Sequence, residues 1–84
     1  MKAMLYKQKP KPTKLVWHGY ASGDNKAIHF FDMDDKLICT LEKPDIIFIN
    51  TDGLMIKGYE PNGVDRAGRQ KYLYQEWYLI MAND

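Results

Sequence analysis

Apolar and polar residues alternate through much of this chain, and short clusters of turn-forming residues interrupt the alternation. A two-residue period places every second side chain on one face of a strand, so the pattern predicts β-structure. The clearest signal lies within 45–59, where two apolar runs flank Asn50-Thr51-Asp52-Gly53. Gly53 can take the positive φ that closes a short hairpin turn. Further strands are predicted over 15–20, 26–32, 37–41 and 71–81.

These elements predict an all-β fold, an antiparallel meander of five to six short strands that forms a small open barrel or a strongly bent sheet. The alternative is an α+β fold with a C-terminal helix over 69–81, since Leu73, Trp77 and Ile80 also fit a helical stripe. The density of tyrosine and tryptophan favours a strand there. The sequence Glu42-Lys43-Pro44 is expected to end the strand over 37–41, because proline cannot donate to a ladder.

Charge is divided unevenly between a basic N-terminal segment and an acidic remainder. Residues 1–14 hold five lysines and no acid, whereas the other 70 residues hold seven bases and eleven acids. Alternating lysine and proline over 7–14 favour polyproline II structure or an edge strand. We therefore expect a basic Lys/Pro-rich arm over 1–14, with 3–6 either a short strand or part of a mobile tail. Residues 15–84 are predicted to form a single small β domain.

Cys39 is the single cysteine of the chain, so no internal disulfide can form. Its place in the strand predicted over 37–41 indicates a buried thiol that behaves as a small apolar side chain. This cysteine usage favours a cytoplasmic protein. No apolar run is long enough to span a bilayer, and the N-terminal residues lack the apolar core of a signal peptide. No membrane association is therefore expected.

An apolar run over 28–31 leads into an Asp-x-Asp pattern at Asp32 and Asp34. It resembles the first motif of haloacid-dehalogenase-type phosphatases, and the resemblance implies Asp32 as phosphoryl-accepting nucleophile and Asp34 as general acid and base. Asp35 and Lys36 stand where that family has Gly-Thr or Gly-Val. The family also needs a parallel sheet, and each parallel crossover takes a dozen or more residues. The sequence therefore favours a hairpin turn, where aspartate bonds to its own backbone.

The remaining candidate catalytic and metal-binding residues do not form a recognisable set. His18 and His29 are the only histidines, and together with Cys39 they lack the close Cys/His spacing that is typical of zinc sites. Ser22 is the only serine and lies in a turn composition, and no glycine-rich phosphate loop precedes a predicted helix. The chain is predicted not to be an enzyme and to hold no cofactor or metal.

Two basic features are candidate contact surfaces. One is the N-terminal arm, and the other is the stretch 66–74, in which cations run into two tyrosines. If this stretch is a strand, Tyr72 and Tyr74 share a face on which bases could stack while the cations meet phosphates. The predicted binding residues are Lys9, Lys11, Arg66, Arg69, Lys71, Tyr72 and Tyr74.

The function expected from these features is that of a non-enzymatic protein-binding module. The protein is expected to be a small accessory protein of a phage or mobile element that modulates a host factor. Tyrosine, tryptophan and methionine are enriched at interface centres, and an acidic body disfavours nucleic acid as the partner. The alternative is a single-stranded nucleic-acid-binding small β-barrel that uses the arm and 66–74. A small sheet with exposed edges can also pair with itself, so a homodimer is an open alternative.

Overall fold

The computed structural model describes residues 3–8, 12–48 and 53–81, all of which lie in strands or in the turns between them. Each strand is antiparallel to the next, and β1 also pairs with β6, so the sheet closes into a barrel. The predicted antiparallel meander is therefore confirmed, and the barrel is closed rather than open. The six strands are β1 (Ala3–Gln8), β2 (Pro12–Gly23), β3 (Ala27–Asp32), β4 (Leu37–Phe48), β5 (Gly53–Val64) and β6 (Gln70–Met81).

The C-terminal segment is strand β6, so the alternative of a helix over 69–81 is wrong. β6 pairs with β5 on one side and with β1 on the other. Its interior side chains, Trp77 and Leu79, are spaced two residues apart and both are buried. The segment therefore adopts the strand that its two-residue period predicts and not the helix, because closure of the barrel gives it a strand partner on each side.

The expectation that 42–44 would end a strand is also wrong, because β4 continues through Pro44. Its register against β5 shifts between Glu42 and Asp45, which marks a β-bulge. A bulge leaves a residue outside the ladder, so the missing N–H of Pro44 is tolerated there.

Of the predicted turn residues, 50–52 lie outside the described residues. Gly53 is the first residue of β5 and does not have a positive φ, so the expectation of a left-handed turn glycine at this position is wrong. The strands that flank them pair as expected, with Ile46 opposite Ile56.

The N-terminal segment contributes β1 and the first residues of β2 to the barrel. Leu5 lies opposite Trp17 of β2 and opposite Leu79 of β6, so β1 is the strand that closes the sheet. Lys9 and Lys11 lie outside the described residues. Residues 3–6, for which the sequence left a short strand and a mobile tail as alternatives, lie in strand β1.

The barrel interior holds a compact aromatic and aliphatic core. Its four largest fully buried side chains are Leu5, Phe30, Leu41 and Trp77. The ring of Phe30 stacks on that of Trp77 with centroids 5.0 Å apart, and Trp17 packs against Trp77 at 6.0 Å. Such ring pairs contribute about 0.5–1.5 kcal/mol beyond their buried area. The aromatic residues thus supply much of the core that a chain of this size can build.

The hairpin of β5 and β6 extends beyond the strands beside it. In the described residues, β4 pairs with β5 only as far as Tyr59, and β1 pairs with β6 only as far as Trp77. Beyond these positions β5 and β6 pair with each other alone, for example Pro61 with Tyr72. We call residues 59–64 and 70–76 the distal ribbon. The molecule measures 47 Å along its long axis and only 28 and 24 Å across it.

Candidate functional site

Three tyrosines lie together on one face of the distal ribbon. Tyr59 is directly opposite Tyr74 in the β5–β6 register, and Tyr72 lies two residues from Tyr74 on the same face. The rings of Tyr59 and Tyr74 meet edge to face with centroids 5.6 Å apart. The exposed fractions of Tyr59, Tyr72 and Tyr74 are 43%, 48% and 39%, so each ring presents a large surface to solvent. We call these three residues the tyrosine face.

The tyrosine face forms one wall of an open groove of about 460 Å³. Glu42 and Lys43 of β4 line the groove together with the three rings. A smaller hollow of about 230 Å³ is lined by Tyr59, Tyr74 and Lys43 as well, and by Asp45 and Lys57. The site is therefore an aromatic surface bordered by side chains of both charges.

Lys43 reaches the groove from the β-bulge in β4. Its φ is 52°, in the left-handed region that residues with a side chain seldom adopt. Its backbone N–H donates to the carbonyl of Lys26 at 3.1 Å, which ties the bulge to the β2–β3 turn. Bulges re-aim side chains next to functional sites, and strained backbone persists where the surroundings hold it. The bulge thus supplies the groove with a cation that a regular strand would place elsewhere.

The hydroxyl of Tyr74 lies in an acidic environment. Three main effects raise the pKa of this hydroxyl above its ordinary value. In order of decreasing size they are loss of hydration, the charge of Glu76, and the hydrogen bond that the hydroxyl donates to Oε1 of Glu76 at 3.3 Å. The charge of Asp45 raises the pKa of Tyr74 further. Glu76 and Asp45 therefore place negative charge near the Tyr74 hydroxyl.

The structure brings only part of the predicted binding set to the groove. Tyr72 and Tyr74 line it, whereas Lys71 precedes Tyr72 in the strand and so faces the opposite side of the ribbon. Arg66 lies in the turn at the ribbon tip. Arg69 in the same turn forms an ion pair with Asp65, Nε to Oδ2 at 3.1 Å, and its side chain is 81% exposed.

Sequence reasoning missed three groove residues, Glu42, Lys43 and Tyr59. Tyr59 lies fifteen positions before Tyr74 in the chain, and only the β5–β6 register places the two side by side. Pro44 is the sequence signal for Lys43, because proline in a strand pattern indicates either the end of the strand or a bulge. The extension of β4 through Pro44 places Glu42 opposite Tyr59, with Lys43 beside it in the bulge.

Asp32 serves as the anchor of the β3–β4 turn. Its Oδ1 accepts hydrogen bonds from the backbone N–H groups of Asp34 (2.8 Å) and Lys36 (3.0 Å). Every strand pair of the barrel in the described residues is antiparallel, whereas the phosphatase fold needs a parallel sheet. The resemblance to haloacid-dehalogenase-type phosphatases therefore does not extend to the fold, and the turn interpretation accounts for the aspartates.

The histidines and the cysteine are separated by the sheet. Nδ1 of His29 lies 2.9 Å from the hydroxyl of Thr40. Cys39, the residue before Thr40 in β4, is buried in the barrel interior. Burial and the hydrogen bond to Glu60 raise the pKa of the Cys39 thiol to about 12, so the thiol is protonated at neutral pH. Among the described residues, no group of three His, Cys, Asp or Glu side chains is placed to hold a metal ion.

Comparison with protein-family models, with curated proteins and with solved structures found no match to this chain. In the part of the chain that the structure describes, no helix has the length and apolarity needed to cross a membrane.

Proposed function

We propose that this protein is a non-enzymatic binding module that docks a protein partner on the tyrosine face of the distal ribbon. The observation that carries the proposal is the shared exposure of Tyr59, Tyr72 and Tyr74 around one groove. Tyrosine is enriched among the residues that dominate binding energy at protein interfaces. A large amphipathic ring held by a paired strand also loses little conformational freedom on binding.

The position of the tyrosine face supports the same proposal. The distal ribbon extends past the barrel, so a partner can reach the groove without disturbing the core. The buried side chains that hold the barrel together, such as Phe30 and Leu41, take no part in lining the groove. An accessory role in a phage or mobile element, exerted in the cytoplasm on a host factor, is a particular case of this proposal.

The test is selection of ligands from a random peptide display library against the immobilised protein. Ligands retained by the wild type are then challenged with the double variant Tyr72→Ala/Tyr74→Ala and with the control Leu73→Ala. Leu73 is as exposed as Tyr72, 48% each, and lies on the other face of the same strand. We expect the double variant to lose the selected ligands and the control to keep them. Ligands that bind both variants equally would contradict the proposal.

Single-stranded nucleic acid is the second candidate partner. The observation that favours it is the placement of Lys43 and Lys57 beside aromatic rings, because bases stack on tyrosine while lysines meet phosphates. Glu42 and Asp45 at the same groove oppose it, since they repel a phosphate chain. Titration of a labelled single strand at two salt concentrations distinguishes the candidates. Binding with a steep loss of affinity at the higher salt would favour nucleic acid over protein.

A further inference from the structure

We propose that the ligand of the groove is an extended, proline-rich peptide segment that carries a lysine or arginine. This inference rests on the proposed function and names the class of partner that the tyrosine face would take. Three properties of the groove support it: the flat faces of its rings, the hydrogen-bond donors around it, and the carboxylates at its border.

The aromatic walls suit proline better than they suit an added strand. Proline-rich segments in the polyproline II conformation dock into grooves lined by aromatic rings, and they arrive with little conformational entropy to lose. The edge-to-face pair of Tyr59 and Tyr74, with Tyr72 two residues further along β6, offers successive ring surfaces to such a segment. The groove of about 460 Å³ is open to solvent, so a peptide can reach its rings from outside.

The hydrogen-bonding groups of the groove complement a polyproline II backbone. Such a backbone presents carbonyl acceptors to its surroundings, and each proline lacks an N–H. The groove carries donors at the hydroxyls of Tyr59 and Tyr72 and at the ammonium of Lys43. The β-bulge is what brings the Lys43 ammonium to this wall. A ligand rich in acceptors and poor in donors is therefore the chemical match.

Charge selects a basic residue in the ligand. Glu42 borders the main groove, and Asp45 borders the adjoining hollow at Tyr74. Glu76, which accepts a hydrogen bond from the Tyr74 hydroxyl, adds a third carboxylate. Only two ammonium groups, those of Lys43 and Lys57, are among the described residues that line these two surfaces, so carboxylates are in excess there. A lysine or arginine of the ligand would meet these carboxylates and could also lie over a tyrosine ring. The same carboxylates disfavour an acidic peptide and a phosphate chain.

The experiment measures the affinity of the full-length protein for three dye-labelled peptides by fluorescence anisotropy. The first is an acetylated oligoproline with a C-terminal arginine amide. The second replaces the arginine with glutamate, and the third keeps the arginine but replaces the prolines with alternating glycine and serine. We expect the first to bind about tenfold more tightly than either of the others, a ratio that corresponds to about 1.4 kcal/mol.

Variants assign the binding to the groove. Tyr72→Ala is expected to weaken the first peptide about tenfold, whereas Leu73→Ala is expected to leave it unchanged. Glu42→Gln is expected to reduce the preference for arginine over glutamate without removing the preference for proline. Circular dichroism and the thermal unfolding midpoint of each variant establish that it is folded. A loss of affinity then results from the removed side chain and not from unfolding.

Three results would overturn the inference. Equal affinity of the protein for the glycine-serine and oligoproline peptides would exclude proline recognition. The proposed function would still stand if the double variant Tyr72→Ala/Tyr74→Ala no longer bound the ligands selected from the library. If the oligoprolines do not bind, and the library ligands bind the double variant as well as they bind the wild type, both the inference and the proposed function are contradicted. Concentration-dependent dimerisation that Tyr72→Ala abolishes would assign the groove to a second copy of the chain.

Discussion

At the scale of single residues, the turns of this barrel are specified by aspartates. Asp32 and Asp65 anchor two turns of the same design, in which one carboxylate oxygen accepts the backbone N–H groups two and four residues later. In both turns the residue three positions after the anchor has positive φ, 63° at Asp35 and 81° at Gly68. The cluster of carboxylates near Asp32 therefore has a structural explanation.

Gly68→Ala tests the left-handed position of the ribbon-tip turn. No atom lies within 4 Å of the Cβ that alanine would add, so only the backbone conformation resists the change. We expect the free energy of unfolding to fall by about 1 kcal/mol, measured by urea denaturation. Arg66→Ala in the same turn is the control and is expected to have a smaller effect. Equal stability of Gly68→Ala and wild type would contradict the turn geometry.

Asp24 gives the fold a specific dependence on pH. Backbone hydrogen bonds from Lys26 (2.8 Å) and Ala27 (3.2 Å) to its Oδ1 hold the pKa of Asp24 below its ordinary value. A depressed folded pKa contributes stability above the unfolded pKa of about 4, and that stability is lost as pH falls through the folded pKa.

Urea unfolding of the wild type and of Asp24→Asn between pH 6 and pH 2 measures this contribution. The asparagine oxygen accepts the same hydrogen bonds but does not titrate. We therefore expect the wild type to lose more stability than the variant below about pH 4. Parallel stability curves across the acid range would show that Asp24 makes no titratable contribution.

At the scale of elements, the strands follow from the sequence pattern, and the site follows from how they pair. The alternation around Trp77 predicted β6, and it placed Tyr72 and Tyr74 on one face. Tyr59 joins them only through the β5–β6 register, which the separate strands do not specify. Lys43 joins them through an irregularity in β4 that periodic patterns cannot indicate. Pairing and bulges depend on contacts between distant parts of the chain.

A comparison of Lys43→Gly with Lys43→Ala tests the bulge. Both variants remove the ammonium from the groove, but only glycine relieves the left-handed backbone at φ 52°. We expect Lys43→Gly to be more stable than Lys43→Ala by about 1 kcal/mol in urea denaturation. The two variants should lose affinity for groove ligands to a similar extent. A glycine variant no more stable than the alanine variant would exclude strain at the bulge.

At the scale of the whole molecule, closure by β1 makes the N-terminal residues part of the core. Ala3 and Leu5 are buried against strands from both ends of the chain. The distal ribbon, in contrast, begins at Tyr59, the last residue of β5 that pairs with β4 among the described residues. The closed barrel and the distal ribbon are thus distinct parts of the structure, and we expect substitutions in one to leave the other intact.

Leu5→Ala tests barrel closure. The Leu5 side chain is fully buried, and its truncation is expected to lower the free energy of unfolding by about 2–5 kcal/mol. The matched control is Leu15→Ala, because Leu15 pairs with β1 through Tyr6 but is 38% exposed. Urea denaturation should show a much smaller effect for the control. Similar small losses for both leucines would mean that β1 does not close the core.

If partners bind on the tyrosine face, as proposed, the barrel is expected to stay unchanged on binding. The most direct measurement is an amide chemical-shift map of the ¹⁵N-labelled protein during titration with a peptide retained in the library selection. We predict that the largest shifts fall at Lys43, Tyr59, Tyr72 and Tyr74, and that the core strand β3 is unaffected. Shifts concentrated on β2 and β3, with these four residues unmoved, would contradict the proposal.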